Sequence, residues 1–168
     1  MSAQADLFLP DLRVAGRRGS IASLHRSNGG VPKLEVASAW VSAAGMEGDR
    51  QNNLKHHGGP DRALCLYSQE LIDALRAEGH PVVPGAMGEN VVIRGLDWRE
   101  LTRGVRMTLG SVEIELTGYA HPCRNIAGSF HGRDMNRVSA KMNPGWSRVY
   151  ARVGRAGQIG VGDAVVIL

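Results

Sequence analysis

Cys123 stands in the stretch AHPCRN (120–125), with His121 two residues before it, Pro122 against it and Arg124 just after. It follows VEIELTGY (112–119), which reads as a strand, so the thiol falls at a turn among cationic groups. A thiol becomes a thiolate most easily in such surroundings. Three other stretches hold residue types suited to binding. GMEGDRQ (45–51) brackets a turn with two glycines and delivers Asp49 and Arg50. In KHHGGPDRA (55–63), Gly58 and Gly59 before Pro60 free the backbone to approach a ligand closely. Lys55, His56, His57 and Arg62 of that stretch supply donors suited to an anion, and Asp61 lies beside Arg62 as an acceptor. In GAMGENVV (85–92), Gly88 leads into Glu89 and Asn90 at the start of a strand.

Each stretch has a plainer explanation when taken alone: a turn, a loop of solvated histidines, a strand cap, a small half-buried residue. The other cysteine, Cys65 in ALCLY, reads as core filler. A zinc site built from His56, His57, His121 and Cys123 is a weak reading. No pair has the short ligand spacing of a structural site, and adjacent histidines seldom chelate one ion.

These loops need a frame. Short apolar runs are punctuated by 22 glycines, and several alternate or are β-branched. They are 20–27, 33–41, 63–68, 90–95, 105–110, 112–119, 147–153 and 163–168, and their spacing predicts a closed or strongly curved β structure. In VEIELT, Val112, Ile114 and Leu116 face one way, and Glu113, Glu115 and Thr117 the other. Leu109-Gly110-Ser111-Val112 reads as a tight hairpin turn. One helix follows ALCLY, with Ser68 as N-cap, a stripe of Leu71, Ile72 and Leu75, and Gly79 as the stop. A shorter helical turn starts at Asp97, whose DWRE has the form of a capping box. Residues 125–145 read as loop or irregular helix, and 1–18 as a loose arm ahead of one domain over 19–168. The fold class expected is mostly β, with one or two short helices.

Composition narrows the function. The 168 residues are 43% hydrophobic, enough for a core without disulfides or a structural metal. Two cysteines give no disulfide framework, the N-terminus lacks a signal-peptide core, and no apolar run nears the ~20 residues of a membrane span. The chain reads as cytoplasmic. A net charge of +4 permits anionic ligands. With 5% aromatics that do not interleave with the basic residues, a small basic β-barrel binding nucleic acid is the weaker alternative.

In order, GDRQ, HHGGPDRALCLYS, GAMGENVVIRGLD, LGSVEIELTGYAHPCRN and GVGDAVVIL resemble the motifs of the MOSC domain family, named for the C-terminal domain of molybdenum-cofactor sulfurases. The likeness runs over roughly residues 20–168. Relatives include the 6-N-hydroxylaminopurine reductase type and the mitochondrial amidoxime-reducing component. The resemblance implies a strongly twisted, β-barrel-like fold and a molybdenum cofactor, with Cys123 as the thiolate ligand to molybdenum. It places the pterin and its phosphate among Asp49, Arg50, Lys55, His56, His57, Gly58, Gly59, Asp61, Arg62, Glu89, Asn90 and Arg124. By residue type, the cations and glycines suit the phosphate, and Glu89 and Asn90 suit the pterin's amide and amine edge.

The implied activity is reduction of N-hydroxylated compounds. The alternative within the family is a cofactor or sulfur carrier without turnover, using a Cys123 persulfide. A reductase would need a separate electron-donor protein, since two cysteines cannot hold a four-cysteine iron–sulfur cluster. A carrier would need a cofactor or sulfur donor or acceptor protein. The sequence departs from the family where His121 stands in place of the arginine often found close before Pro-Cys. It also lacks a pyridoxal-phosphate desulfurase domain and the C-terminal helical segment of the reductase-type relatives.

Overall fold

The computed structural model describes residues 17–50 and 59–168. Eleven strands are described: β1 (Arg18–Arg26), β2 (Leu34–Val36), β3 (Ser38–Ser42), β4 (Gly45–Met46), β5 (Leu64–Ser68), β6 (Val91–Arg94), β7 (Arg106–Leu109), β8 (Val112–Tyr119), β9 (Val149–Arg155), β10 (Gly157–Gly160) and β11 (Ala164–Ile167). Seven of them hydrogen-bond in the order β11-β7-β8-β9-β5-β6-β1, and β1 returns to β11, so the sheet closes into a barrel. Closure removes the free edges that an open sheet of this length would expose. β1 is long enough to serve twice along one side. Its residues 18–20 pair with β11 and its residues 24–26 with β2, while β6 runs along the other side.

Barrel pairings are antiparallel except β5 with β6. Parallel neighbours need a crossover, because the chain must return to the starting end. The helix α1 (Gln69–Ala77) begins that return. Ser68 caps it as expected, its Oγ accepting from the Leu71 N–H at 3.2 Å. Ile72 and Leu75 are fully buried, and Gly79 ends the helix at a φ of 98°, in the left-handed region that favours glycine.

Alternation in β8 is as the sequence requires: Val112, Ile114 and Leu116 are buried, and the residues between them are half-exposed. β7 and β8 form the hairpin, with Leu109 opposite Val112. At DWRE the turn is the 3-10 helix Trp98–Glu100, and only half of the capping box forms. Asp97 accepts from the Arg99 N–H at 3.1 Å and then binds the Arg99 guanidinium. The run 33–41, read as one segment, splits into β2 and β3. At Ala37 the chain leaves the barrel, and its carbonyl accepts from Val161 instead. β3 then pairs with β10 and β4 in a separate three-stranded sheet. Among the described residues no helix is long and apolar enough to cross a membrane.

Candidate functional site

Cys123 is partly exposed and opens the 3-10 helix Arg124–Ser129, whose Ile126 N–H bonds back to the Cys123 carbonyl at 3.1 Å. Buried Ile126, Ala127 and Phe130 anchor that segment on its far side. On the near side, Ala120 is held by the two residues just before β9. Its N–H donates to the Arg148 carbonyl at 2.9 Å, and its carbonyl accepts from Ser147 Oγ at 3.2 Å. Ser147 and the preceding Trp146 are in turn each fixed at the carbonyl by an aromatic side chain. Trp98 Nε1 donates to Ser147 at 2.8 Å, and the fully buried Tyr67 donates its hydroxyl to Trp146 at 2.7 Å. The thiol is thus presented by a loop clamped at both ends.

It lines a cleft of about 500 Å³, together with Asp61, Arg62, Arg103, Thr117, Tyr119, His121, Tyr150 and Arg152. That volume lies within the ~300–1,000 Å³ of small-molecule and cofactor sites. The loop 59–62 closes over the end of β8, where the Thr117 hydroxyl donates to the Asp61 carbonyl. Arg62 lies over the Tyr150 ring at 5.4 Å. Arg152 faces Asp61 at 3.6 Å and Glu115 at 4.0 Å. Burial pushes the Tyr150 hydroxyl up to about 12, so at neutral pH the cleft wall is a phenol and carries no charge there. The remaining fixed charges are mostly positive, and the cleft suits an anion.

The residues selected from sequence divide into groups. Cys123, Asp61 and Arg62 come together at this cleft. Gly59, at a φ of 81°, precedes the Pro60–Arg62 turn. Lys55, His56, His57 and Gly58 lie outside the described residues. Arg124 is exposed and does not line the cleft, and Arg50 is exposed beside Asn28.

Asp49, Glu89 and Asn90 are spent inside the protein. Asp49 binds the Lys33 ammonium at 2.6 Å and accepts from the Ser27 N–H and Asn90 Nδ2, each at 2.9 Å. Asn90 is fully buried and ties β1 to β5 through the His25 carbonyl and the Cys65 N–H. Glu89 is also fully buried, its carboxylate accepting from the Gly85 and Met87 N–H groups. Their side chains hold the barrel and its loops, and none of them lines the thiol cleft.

Sequence reasoning missed Arg103, Arg152, Tyr119 and Tyr150 as cleft residues, and the buried Arg148 as its support. Arg148 donates to the Met87 carbonyl at 2.5 Å and to the His121 carbonyl at 3.3 Å, so it joins the loop 85–90 to the loop that carries Cys123. A signal for Tyr150 and Arg152 existed in their two-residue spacing on a strand, but not for their pairing with the end of β8. Among the described residues no three His, Cys, Asp or Glu side chains gather as metal ligands. A metal at Cys123 would therefore take further donors from a bound organic group or from outside the described residues.

A family model described as the MOSC domain matches residues 53–166, more than half of the chain. The chain belongs to the MOSC domain family. Among its MOSC relatives, the uncharacterized protein YflK of Bacillus subtilis (strain 168) is 29% identical over 141 residues, 83% of this chain and 63% of YflK. Protein YiiM of Escherichia coli (strain K12) is 29% identical over 113 residues, 64% of this chain and 50% of YiiM. The chain thus spans between half and two thirds of these curated relatives. In fold it is similar to the crystal structure of YiiM from Geobacillus stearothermophilus, with a TM-score of 0.69 at 23% identity, covering 89% of this chain and 75% of that one. For the YuaD protein from Bacillus subtilis the TM-score is 0.73 at 17% identity, covering 89% of this chain and 95% of that one.

Proposed function

We propose that this MOSC domain binds a molybdenum cofactor at the Cys123 cleft, with the cysteine thiolate as a protein ligand to molybdenum. The observation that carries the reading is a partly exposed thiol on a clamped loop, inside an arginine-lined cleft of cofactor size. Thiolate is the soft donor that such a metal takes alongside dithiolene sulfur. A pterin phosphate would find Arg62 and the Gly59 turn at one wall, with charge-assisted hydrogen bonds from the guanidinium. Glu89 and Asn90 support this as positioning residues, since their polar atoms are already bonded within the protein.

When bound, the group would supply two-electron redox chemistry, and the protein would supply positioning and electrostatics. The reaction we assign is reduction of an N-hydroxylated compound. The N–O bond breaks, two electrons arrive from a separate electron-donor protein, two protons are taken up, and water leaves. Tyr150, kept protonated by burial, is a group of the cleft wall that holds a proton for the reaction.

The test is metal and pterin content per chain, in protein purified from a host that makes the cofactor, for wild type and Cys123→Ala. Near-stoichiometric molybdenum and pterin in wild type, with molybdenum lost in the variant, is the expected result. Equal molybdenum and pterin in both proteins would remove Cys123 as the ligand and favour sulfur carriage by a persulfide. Wild-type protein without pterin, from a host shown to make it, would overturn the reading.

A further inference from the structure

We propose that Arg103 makes the Cys123 cleft selective for a reactant bearing a carboxylate or phosphate group; this deepens the reading of Cys123 as the centre of the site. Three arginines and one aspartate line the cleft, so its fixed charge is positive. Two of the arginines are engaged within the wall. Arg62 lies over the Tyr150 ring, and Arg152 is shared between Asp61 and Glu115. Arg103 differs from both. It is exposed, and among the described residues it has no hydrogen bond or ion pair.

Its backbone, by contrast, is pinned. Leu101 is buried, Gly104 donates to the Leu116 carbonyl at 2.8 Å, and Val105 donates to Thr102 at 3.1 Å. Gly104 has a φ of 90°, so the loop depends on glycine to turn there. A guanidinium on a fixed backbone at the wall of a cleft, with its donors uncommitted, matches the two oxygens of a carboxylate or phosphate. Arg103 also comes from a different segment than Gly59–Arg62, the turn assigned above to the cofactor's phosphate. It is therefore placed to read the second partner in the cleft, the substrate.

The test uses the thiol as its own reporter and needs no loaded enzyme. Rates of Cys123 alkylation by iodoacetate and by iodoacetamide are measured on cofactor-free protein, where the sulfur displaces iodide and forms one C–S bond. The two reagents differ in charge, so their rate ratio reports the local preference for anions. Cys123→Ala supplies the blank, since Cys65 is buried. The iodoacetate-to-iodoacetamide ratio should fall in Arg103→Gln by roughly two- to fivefold, the range an exposed ion pair supplies. It should recover in Arg103→Lys, and the difference should shrink in high salt.

An unchanged ratio in Arg103→Gln would overturn the proposal. So would loss of pterin from Arg103→Gln purified from a cofactor-making host, because Arg103 would then be a cofactor anchor. Absence of pterin from the wild type would sink the cofactor reading alone, and the alkylation ratio would still decide this one.

Discussion

Glu89 has no contact with water, yet both of its carboxylate oxygens are occupied, one by the Gly85 N–H and the other by the Met87 N–H. Burial raises its pKa above the usual carboxylate range, and its own N–H, the Gly85 and Met87 N–H groups and Arg148 offset that rise only in part. Two donors on two oxygens favour the ionised form, because a protonated oxygen would direct its hydrogen towards an N–H. Glu89→Gln preserves size and shape but offers one acceptor oxygen and turns an NH₂ group against the second N–H. The expected cost is about 1–3 kcal/mol, that of a buried donor left unsatisfied. It would be read as a lower denaturant midpoint. Because Met87 also accepts from Arg148, the change should reach the Cys123 loop and alter its alkylation rate. A midpoint equal to wild type would mean that Glu89 is buried as the neutral acid, for which Gln is a fair substitute.

At the scale of elements, the barrel closes where glycines let strands approach. A Cβ added to Gly19 would fall 2.1 Å from the Arg94 carbonyl oxygen, a backbone atom with no side chain to swing away. Gly19 lies where β1 meets β11, and Arg94 ends β6 on its other side. Gly19→Ala should therefore destabilise by about 1–3 kcal/mol or more through overpacking. Gly154→Ala is the matched control, since its nearest obstacle lies 3.8 Å away, an ordinary contact. Equal unfolding midpoints for the two variants would show that β1 and β6 can separate at little cost.

The same elements explain what could be read from the chain alone. VEIELT is legible because one face is buried and the other is not, and α1 is legible because cap, stripe and stop agree. β4 and β10 were missed because they are two and four residues long and carry glycines where a pattern would show. Their strand character comes from pairing with β3, which is a long-range fact. The site divides likewise. Cys123 announces itself by its neighbours, whereas Arg103 has no local mark and joins it only when the loop before β7 bonds to β8, and the spacing of Tyr150 and Arg152 acquires its meaning only when β8 and β9 pair. Glu89 and Asn90 stand out in sequence, but burial gives them the structural task of fastening loops.

For the whole molecule, the two cysteines differ in access, one buried and the other partly exposed. Cys65 lies in β5 between β9 and β6, at 4% exposure, with its N–H bonded to the Asn90 side chain and its carbonyl to the Asn90 N–H. Burial pushes its thiol up to about 11. Cys123 is partly exposed at the cleft. A thiol reagent should therefore modify one cysteine per chain quickly in native buffer and the second only as the barrel opens. The central strands of a closed barrel exchange with solvent at the cost of global unfolding, whereas loops open locally. In Cys123→Ala, the rate of Cys65 labelling across increasing denaturant should thus track the unfolding equilibrium measured by circular dichroism. Agreement would establish that β5, β6 and β9 open as a unit with the rest of the barrel. Labelling of Cys65 in native buffer far faster than the unfolding equilibrium allows would show instead that the wall behind the cleft opens by itself.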